Sequence, residues 1–319
     1  MKIFLKYFLV LFIISVPSQA QDLWSFEKNS QHLDHNSDEY IQTITLNKNK
    51  LFITASSKSK KTISFPNEFG QTEQFTVEEI GVLSLSLSKA YPNIKTYVGK
   101  SLERANVYAR WSSSPMGINA MLTSASGRFF IQPKRNGNQN EHLFYKRGGF
   151  LYDDFERLNC LVDSKLFSKQ SEAQIKILKG ANSKAVSIQN LKTYRIAVSA
   201  TGEFTQFFGD DDDSNGTNKE DAFVQVVSTI NRINEVFGID FGVRLELVSS
   251  ANLLYDDPET DPYGDDFNEE IQEVLTDSFG ESNYDIGHLF DYGDANGNAG
   301  SVGNVCSNGR KGSAFTSHP

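Results

Sequence analysis

Tyr284-Asp285-Ile286-Gly287-His288-Leu289-Phe290-Asp291, then Gly300-Ser301-Val302-Gly303-Asn304-Val305-Cys306, then Arg310-Lys311-Gly312-Ser313-Ala314-Phe315-Thr316 form the stretch on which the fold turns. It reads as three short extended segments with turns between them. Toward the N-terminus, Phe267 to Phe279 has a helical pattern stopped by Gly280, and Asp256 to Asp266 is an acidic loop punctuated by Pro258, Pro262 and Gly264. Before that loop, Phe241, Val243, Leu245 and Leu247 alternate with Gly242, Arg244 and Glu246, which predicts a strand with two unlike faces. Thr217-Asn218-Lys219-Glu220 fits a capping box. Ala222, Phe223, Val226, Val227, Ile230, Ile233 and Phe237 follow at helical spacing, with Gly238 as the expected left-handed cap. Tyr194 to Ala200 predicts another strand, joined to the helix by a polar loop. Strand, helix and strand of these lengths make a βαβ unit, expected to be parallel and right-handed.

Residues 21 to about 135 are patterned differently. Tyr40 to Leu46 alternates at period two, Asn47 to Lys50 is a turn, and Leu51 to Ala55 resumes the strand. Further strands are expected at Ile63 to Phe65, Gln74 to Glu78, Val82 to Leu87, Lys95 to Gly99, Asn106 to Trp111, Gly117 to Thr123 and Arg128 to Gln132. Such spacing suggests an antiparallel sheet. Lys165 to Lys192 is rich in Ser, Lys, Gln and Asn and reads as an exposed linker, with a loose helix around Glu172 to Leu178. The expected class is α+β. The expected organisation is a leader over 1–20, a β-rich unit over 21–164, a linker over 165–192 and an α/β unit with a mixed twisted sheet over 193–319.

Composition narrows the function classes. Hydrophobic residues are 39% and charged residues 22% of 319, neither disordered nor a membrane bundle. The formal net charge of -9 argues against nucleic acid, whose phosphates need a concentrated basic surface. Lys2 and Lys6 precede an apolar run from Tyr7 to Ile14, and Pro17-Ser18-Gln19-Ala20 supplies small residues before Gln21. That is the pattern of a secretory signal peptide, too short for a transmembrane anchor. The mature chain is expected to be secreted, extracellular and free of the membrane. The two cysteines, Cys160 and Cys306, would by default pair with each other in an exported chain.

No Gly-x-Ser-x-Gly elbow, phosphate loop or His-Glu-x-x-His occurs in the sequence. Asp211-x-Asp213-x-Asn215-Gly216 matches the first half of a calcium loop, but Ala222 stands at the twelfth position and Asp221 falls one place early. Asp294-x-Asn296-x-Asn298 is a weaker match, because Ala299 replaces the needed glycine. Calcium is therefore a weak expectation beside a solvated acidic loop. His32 and His35 read as surface histidines, and His288 as a half-buried packing residue in a strand.

Residues 194 to 319 resemble the front half of a reprolysin (adamalysin-type) metalloprotease domain of the metzincin group, most closely the secreted bacterial type. Tyr194 to Thr205, Val226 to Phe237 with the following strand, and Tyr284 to Phe290 leading into Gly300 to Cys306 carry the resemblance. Residues 40 to 160 are similar to a reprolysin propeptide, through Leu46 to Leu51, Gly127 to Pro133 and Glu141 to Lys146. The resemblance implies a zinc-dependent endopeptidase precursor acting on protein or peptide substrates. It implies that Ser301, Val302, Gly303, Asn304 and Val305 form an edge strand to which a peptide adds by backbone hydrogen bonds. It gives Cys306 a disulfide partner beyond this sequence and leaves Cys160 as a cysteine-switch zinc ligand. Zinc itself would be held by His-Glu-x-x-His-x-x-Gly-x-x-His, which these residues lack, so the expectation is a chain cut off before that motif with no catalytic residue of its own. The alternative is a secreted, non-enzymatic binding module, with calcium as a further variant.

Overall fold

The computed structural model describes residues 23–26, 41–48, 62–134, 140–146, 159–160, 191–212, 214, 216–294, 296–300 and 303–318. The leader, His32, His35, the strand expected at Leu51 to Ala55 and nearly all of the linker lie outside them. Strands and helices are both abundant, in keeping with the α+β expectation.

The described N-terminal part is mainly antiparallel strand, as its spacing suggested. Its strands are β1 (Trp24–Phe26), β2 (Ile41–Leu46), β3 (Thr62–Pro66), β4 (Thr72–Thr76), β5 (Glu78–Glu79), β6 (Lys95–Lys100), β7 (Tyr108–Ser114), β8 (Gly117–Ser124), β9 (Gly127–Pro133) and β10 (Glu141–Lys146). Eight of them form one antiparallel sheet in the order β1-β2-β10-β9-β8-β7-β6-β5, with β3 and β4 as a separate hairpin. Trp24, Phe65, Phe75, Trp111, Ile118, Ile131 and Phe144 fill the core between sheet and hairpin. A charged cluster closes one end of it. Arg104 holds both Glu68 (2.7 Å) and the fully buried Glu73 in paired hydrogen bonds.

The strand expected over Val82 to Leu87 is corrected. Only Leu83 bridges to a sheet; Leu85–Ala90 is a short helix, α1, capped by Ser84. Leu85 is 73% exposed and Leu87 5%, so the alternation of leucines reflects one buried and one solvent-facing side of a helical turn.

The second sheet contains β11 (Asn159–Cys160), β12 (Lys192–Ala200), β13 (Val243–Leu247), β14 (Ile286–Tyr292), β15 (Asn296–Asn298) and β16 (Phe315–His318), in the order β11-β15-β16-β14-β12-β13. β12 begins at Lys192, a residue read as the end of the linker, because its N–H donates to Gly242 O at 2.9 Å. The βαβ unit is present: β12 and β13 run parallel, with Lys192 opposite Val243 and Ile196 opposite Leu247. Between them lie α2 (Gly202–Phe208) and α3 (Asn218–Asp240). Thr217 and Glu220 make the reciprocal capping box. Helix α3 runs through Gly238, and the left-handed residue is Gly242 at φ 63°, not Gly238. Helix α4 (Phe267–Ser278) ends before Gly280 at φ 87°.

The mixed sheet is covered on both faces. Val198, Ala200, Leu245 and Leu247 pack on Phe223, Val226, Val227 and Ile230 of α3. Ala197, Leu289 and Phe315 pack on Ile271 and Leu275 of α4 with Tyr284. No described helix is long and apolar enough to cross a membrane.

Candidate functional site at the sheet edge

The connection between β14 and β16 builds the outer side of the sheet. β16 lies directly beside β14 in parallel, with Leu289 opposite Phe315 and Tyr292 opposite His318. β15 pairs antiparallel with β16 through Gly297 and Asn298. Beyond it, Asn159 and Cys160 of β11 pair in parallel with Asn296 and Gly297. The outermost position is thus held by a segment that precedes the linker.

Ser301 and Val302 lie outside the described residues. Gly303, Asn304 and Val305 lie in an irregular, turning segment, so the edge strand expected over Ser301 to Val305 is corrected at these three described residues. The physical reason is local. Gly300 (φ 69°) and Gly303 (φ 84°) are left-handed, which breaks an extended run. A Cβ on Gly300 would lie 2.5 Å from Ser313 O, so the loop doubles back against its own far end. Asn268 of α4 donates to Ser313 O at 2.6 Å, and Asn304 reaches Ser313 Oγ at 3.3 Å. Gly312 N–H donates to Gln272 Oε1 at 2.7 Å, and the buried Lys311 lies 4.9 Å over the Tyr284 ring. The loop is therefore pinned to α4.

Cys306 is exposed and free, with φ 63° and its N–H donating to Asp285 O at 2.8 Å. Asp285 is gripped by Arg195 through both guanidinium and backbone N–H donors at 2.8 to 3.1 Å, which holds its carboxyl below the usual range. Asn159 and Cys160 are described by their backbone pairing only.

The carboxyl ends of β12, β14 and β16 meet at Asp291. It is buried and accepts from Thr201 Oγ1 at 2.8 Å and Ser317 Oγ at 2.6 Å, so both oxygens are satisfied. Thr201 also caps α2, an element that sequence reading took for polar loop. Its signals were the threonine before Gly202 and the acid Glu203 in the first turn. His288 lies within β14, bonded to Thr316 Oγ1 at 2.9 Å, and burial lowers its pKa to about 4. It packs edge-on against Phe290, in keeping with a packing role.

The described residues do not fit a zinc site. Among them no three His, Cys, Asp or Glu side chains come together as metal ligands. In the acidic loop, Asp213 and Asn215 lie outside the described residues, while Asp211 accepts from Asn218 Nδ2 at 2.8 Å and Asp212 from Ser214 N–H at 3.0 Å. Asp221 is buried nearby. Burial first, then the neighbouring Asp210, raises its pKa to about 7. It lines a cavity of about 310 Å³ together with Tyr91, Pro92 and Met116 of the N-terminal part.

This layout, a mixed sheet with one long helix on its inner face and an irregular loop at its edge, meets a matching sequence family. Residues 190–318 match the model of the "Metallo-peptidase family M12B Reprolysin-like", and this part of the chain is reprolysin-like. Among solved structures, metalloproteinase-II from Bacteroides fragilis is similar at 10% identity, with 82% of this chain and 76% of that chain covered and a TM-score of 0.35. No curated protein matches the sequence.

Proposed function

We propose that this chain is the leading portion of a secreted zinc-dependent metalloendopeptidase precursor. The observation that carries the proposal is the M12B reprolysin-like match over residues 190–318. In this reading residues 1–20 direct export, the β-rich unit is the propeptide, and 165–192 is the segment cut on activation. The substrate is a protein or peptide, seated along the outer edge of the sheet by backbone pairing. The position of Asn159–Cys160, paired with β15 on that same edge, supports assigning the latent state to this segment. Cys306 would bond to a partner outside the 319 residues.

The present residues supply a scaffold and an edge, and no chemical step is assigned to them. The family reading implies zinc held by a His-Glu-x-x-His motif, which residues 1–319 do not contain. Sequencing downstream and assaying casein cleavage by the extended protein test this. A His-Glu-x-x-His motif with chelator-sensitive activity is expected. A stop codon directly after Pro319, or an extended protein without zinc-dependent cleavage, would overturn the enzyme assignment.

A further inference from the structure

The N-terminal part does more than lie beside the reprolysin-like part; it completes it. Val82, Leu83 and Ser84 extend the second sheet on the side of β13, opposite the β11 edge. Leu83 bridges in parallel to Leu247. Leu247 N–H donates to Val82 O at 2.8 Å, and Ser84 N–H donates to Leu247 O at 2.9 Å. This is the pattern of a strand added to a sheet edge, here within one chain.

The residues on either side of this bridge enter the core. Val82, Leu83, Leu87 and Ile94 are all buried in the cluster built by Phe223, Val227, Leu247 and Ala251. Tyr91 sits 4.6 Å from Phe223 between ring centroids, and its hydroxyl accepts from Ala251 N–H at 3.3 Å. The rest of the junction is polar. Ser112 meets Ser228 at 2.7 Å, Arg110 donates to Asn231 at 3.2 Å, and Thr123 donates to Glu235 at 2.7 Å, while Arg232 lies over Phe130. An apolar anchor surrounded by polar contacts is the anatomy of an association surface.

We infer that residues 82–94 are a non-covalent latch, and that the chain severed anywhere between 165 and 190 stays a two-piece complex. The partner recognised by the β13 edge and the groove beside α3 is an extended apolar segment running into a short amphipathic helix, supplied by the chain itself. Cutting the linker is then insufficient for release; the latch must also be withdrawn. This holds whether or not residues 190–318 belong to a peptidase.

The test uses the full chain with a specific cleavage site inserted between residues 165 and 190, cut to completion and passed over gel filtration at about 1 μM. Both pieces are expected to co-elute at equal stoichiometry. Ser84→Pro is the diagnostic variant. Ser84 already has φ -58°, which proline adopts, so the change removes the N–H aimed at Leu247 O and sets the ring against that carbonyl without altering the backbone angle of α1's cap. Ser84→Ala, which loses only the capping hydroxyl, is its control. The cut proline variant should separate at least ten-fold faster than the cut alanine variant. Amide exchange at Leu247 supplies a second readout: protection should persist in the cut parent and vanish in the isolated C-terminal piece. Separation of the cut parent at that concentration, or equal dissociation rates for the two variants, would overturn the latch.

Discussion

Asp221→Asn probes the cavity between the two parts of the chain. Asp221 stands in the first turn of α3, where a helix N-terminus ordinarily favours a carboxylate. Here it is 2% exposed, its Oδ2 has no hydrogen-bond partner, and Asp210 and Glu220 add negative charge. Its pKa rises to about 7, from about 4 in an unfolded chain. The folded state therefore holds a proton that the unfolded state has released. Stability from this group is full below about pH 4 and is lost as pH rises through about 7. The two pKa values set a ceiling of about 4 kcal/mol on that loss. The group lines a cavity large enough for water, so about 1–2 kcal/mol is the working figure. Asparagine keeps the shape and removes the titration. The variant should unfold at higher urea than the parent at pH 8, with a melting point raised by roughly 2–8 °C, and should match the parent at pH 4. Equal stability of the two proteins at pH 8 would refute the reasoning.

Replacing Arg104 by Met should cost about 3–5 kcal/mol in urea unfolding, because Glu68 and Glu73 are left buried without their cation. His142 is buried with its Nε2 accepting from Ile118 N–H and its pKa lowered to about 4, so the N-terminal part should lose stability as pH falls from about 6.5 toward 4, followed by the fluorescence of Trp24 and Trp111. On the proposed reading as a peptidase precursor, Cys160→Ser in the extended protein should yield peptidase activity before any cut in the linker; an uncut variant as silent as the uncut parent would remove Cys160 from the latent state.

Where a pattern is local, the sequence was legible. The α3 capping box, its apolar stripe, the stop at Gly280 and the alternation in β13 all report their own backbone. The βαβ unit followed from them. The leucines at 83, 85 and 87 misled because a strand and one turn of an amphipathic helix bury similar positions over three residues; the cap at Ser84 is what decides. α2 went unread because Phe204, Phe207 and Phe208 crowd a seven-residue element with no full apolar period. The edge was least legible. β11 and β15 are two and three residues long, and neither has a pattern of its own; their places are set by pairing with β16 and with each other. Gly300 and Gly303 signalled the loop that replaced the expected strand, but only the crowding at Ser313 shows why it turns back.

The place of β16 also dictates an order of assembly. It is the last described strand, yet it sits third in the sheet, between β14 and β15. A polypeptide emerging from the ribosome offers β12, β13 and β14 first, and these can pair at once. β15 has no inner neighbour until Phe315–His318 arrives, and β11 has none until β15 is seated. The outer third of the sheet therefore waits on four residues made after everything else in it. A nascent chain paused upstream of Phe315 would carry Asn159 and Cys160 with no strand to receive them.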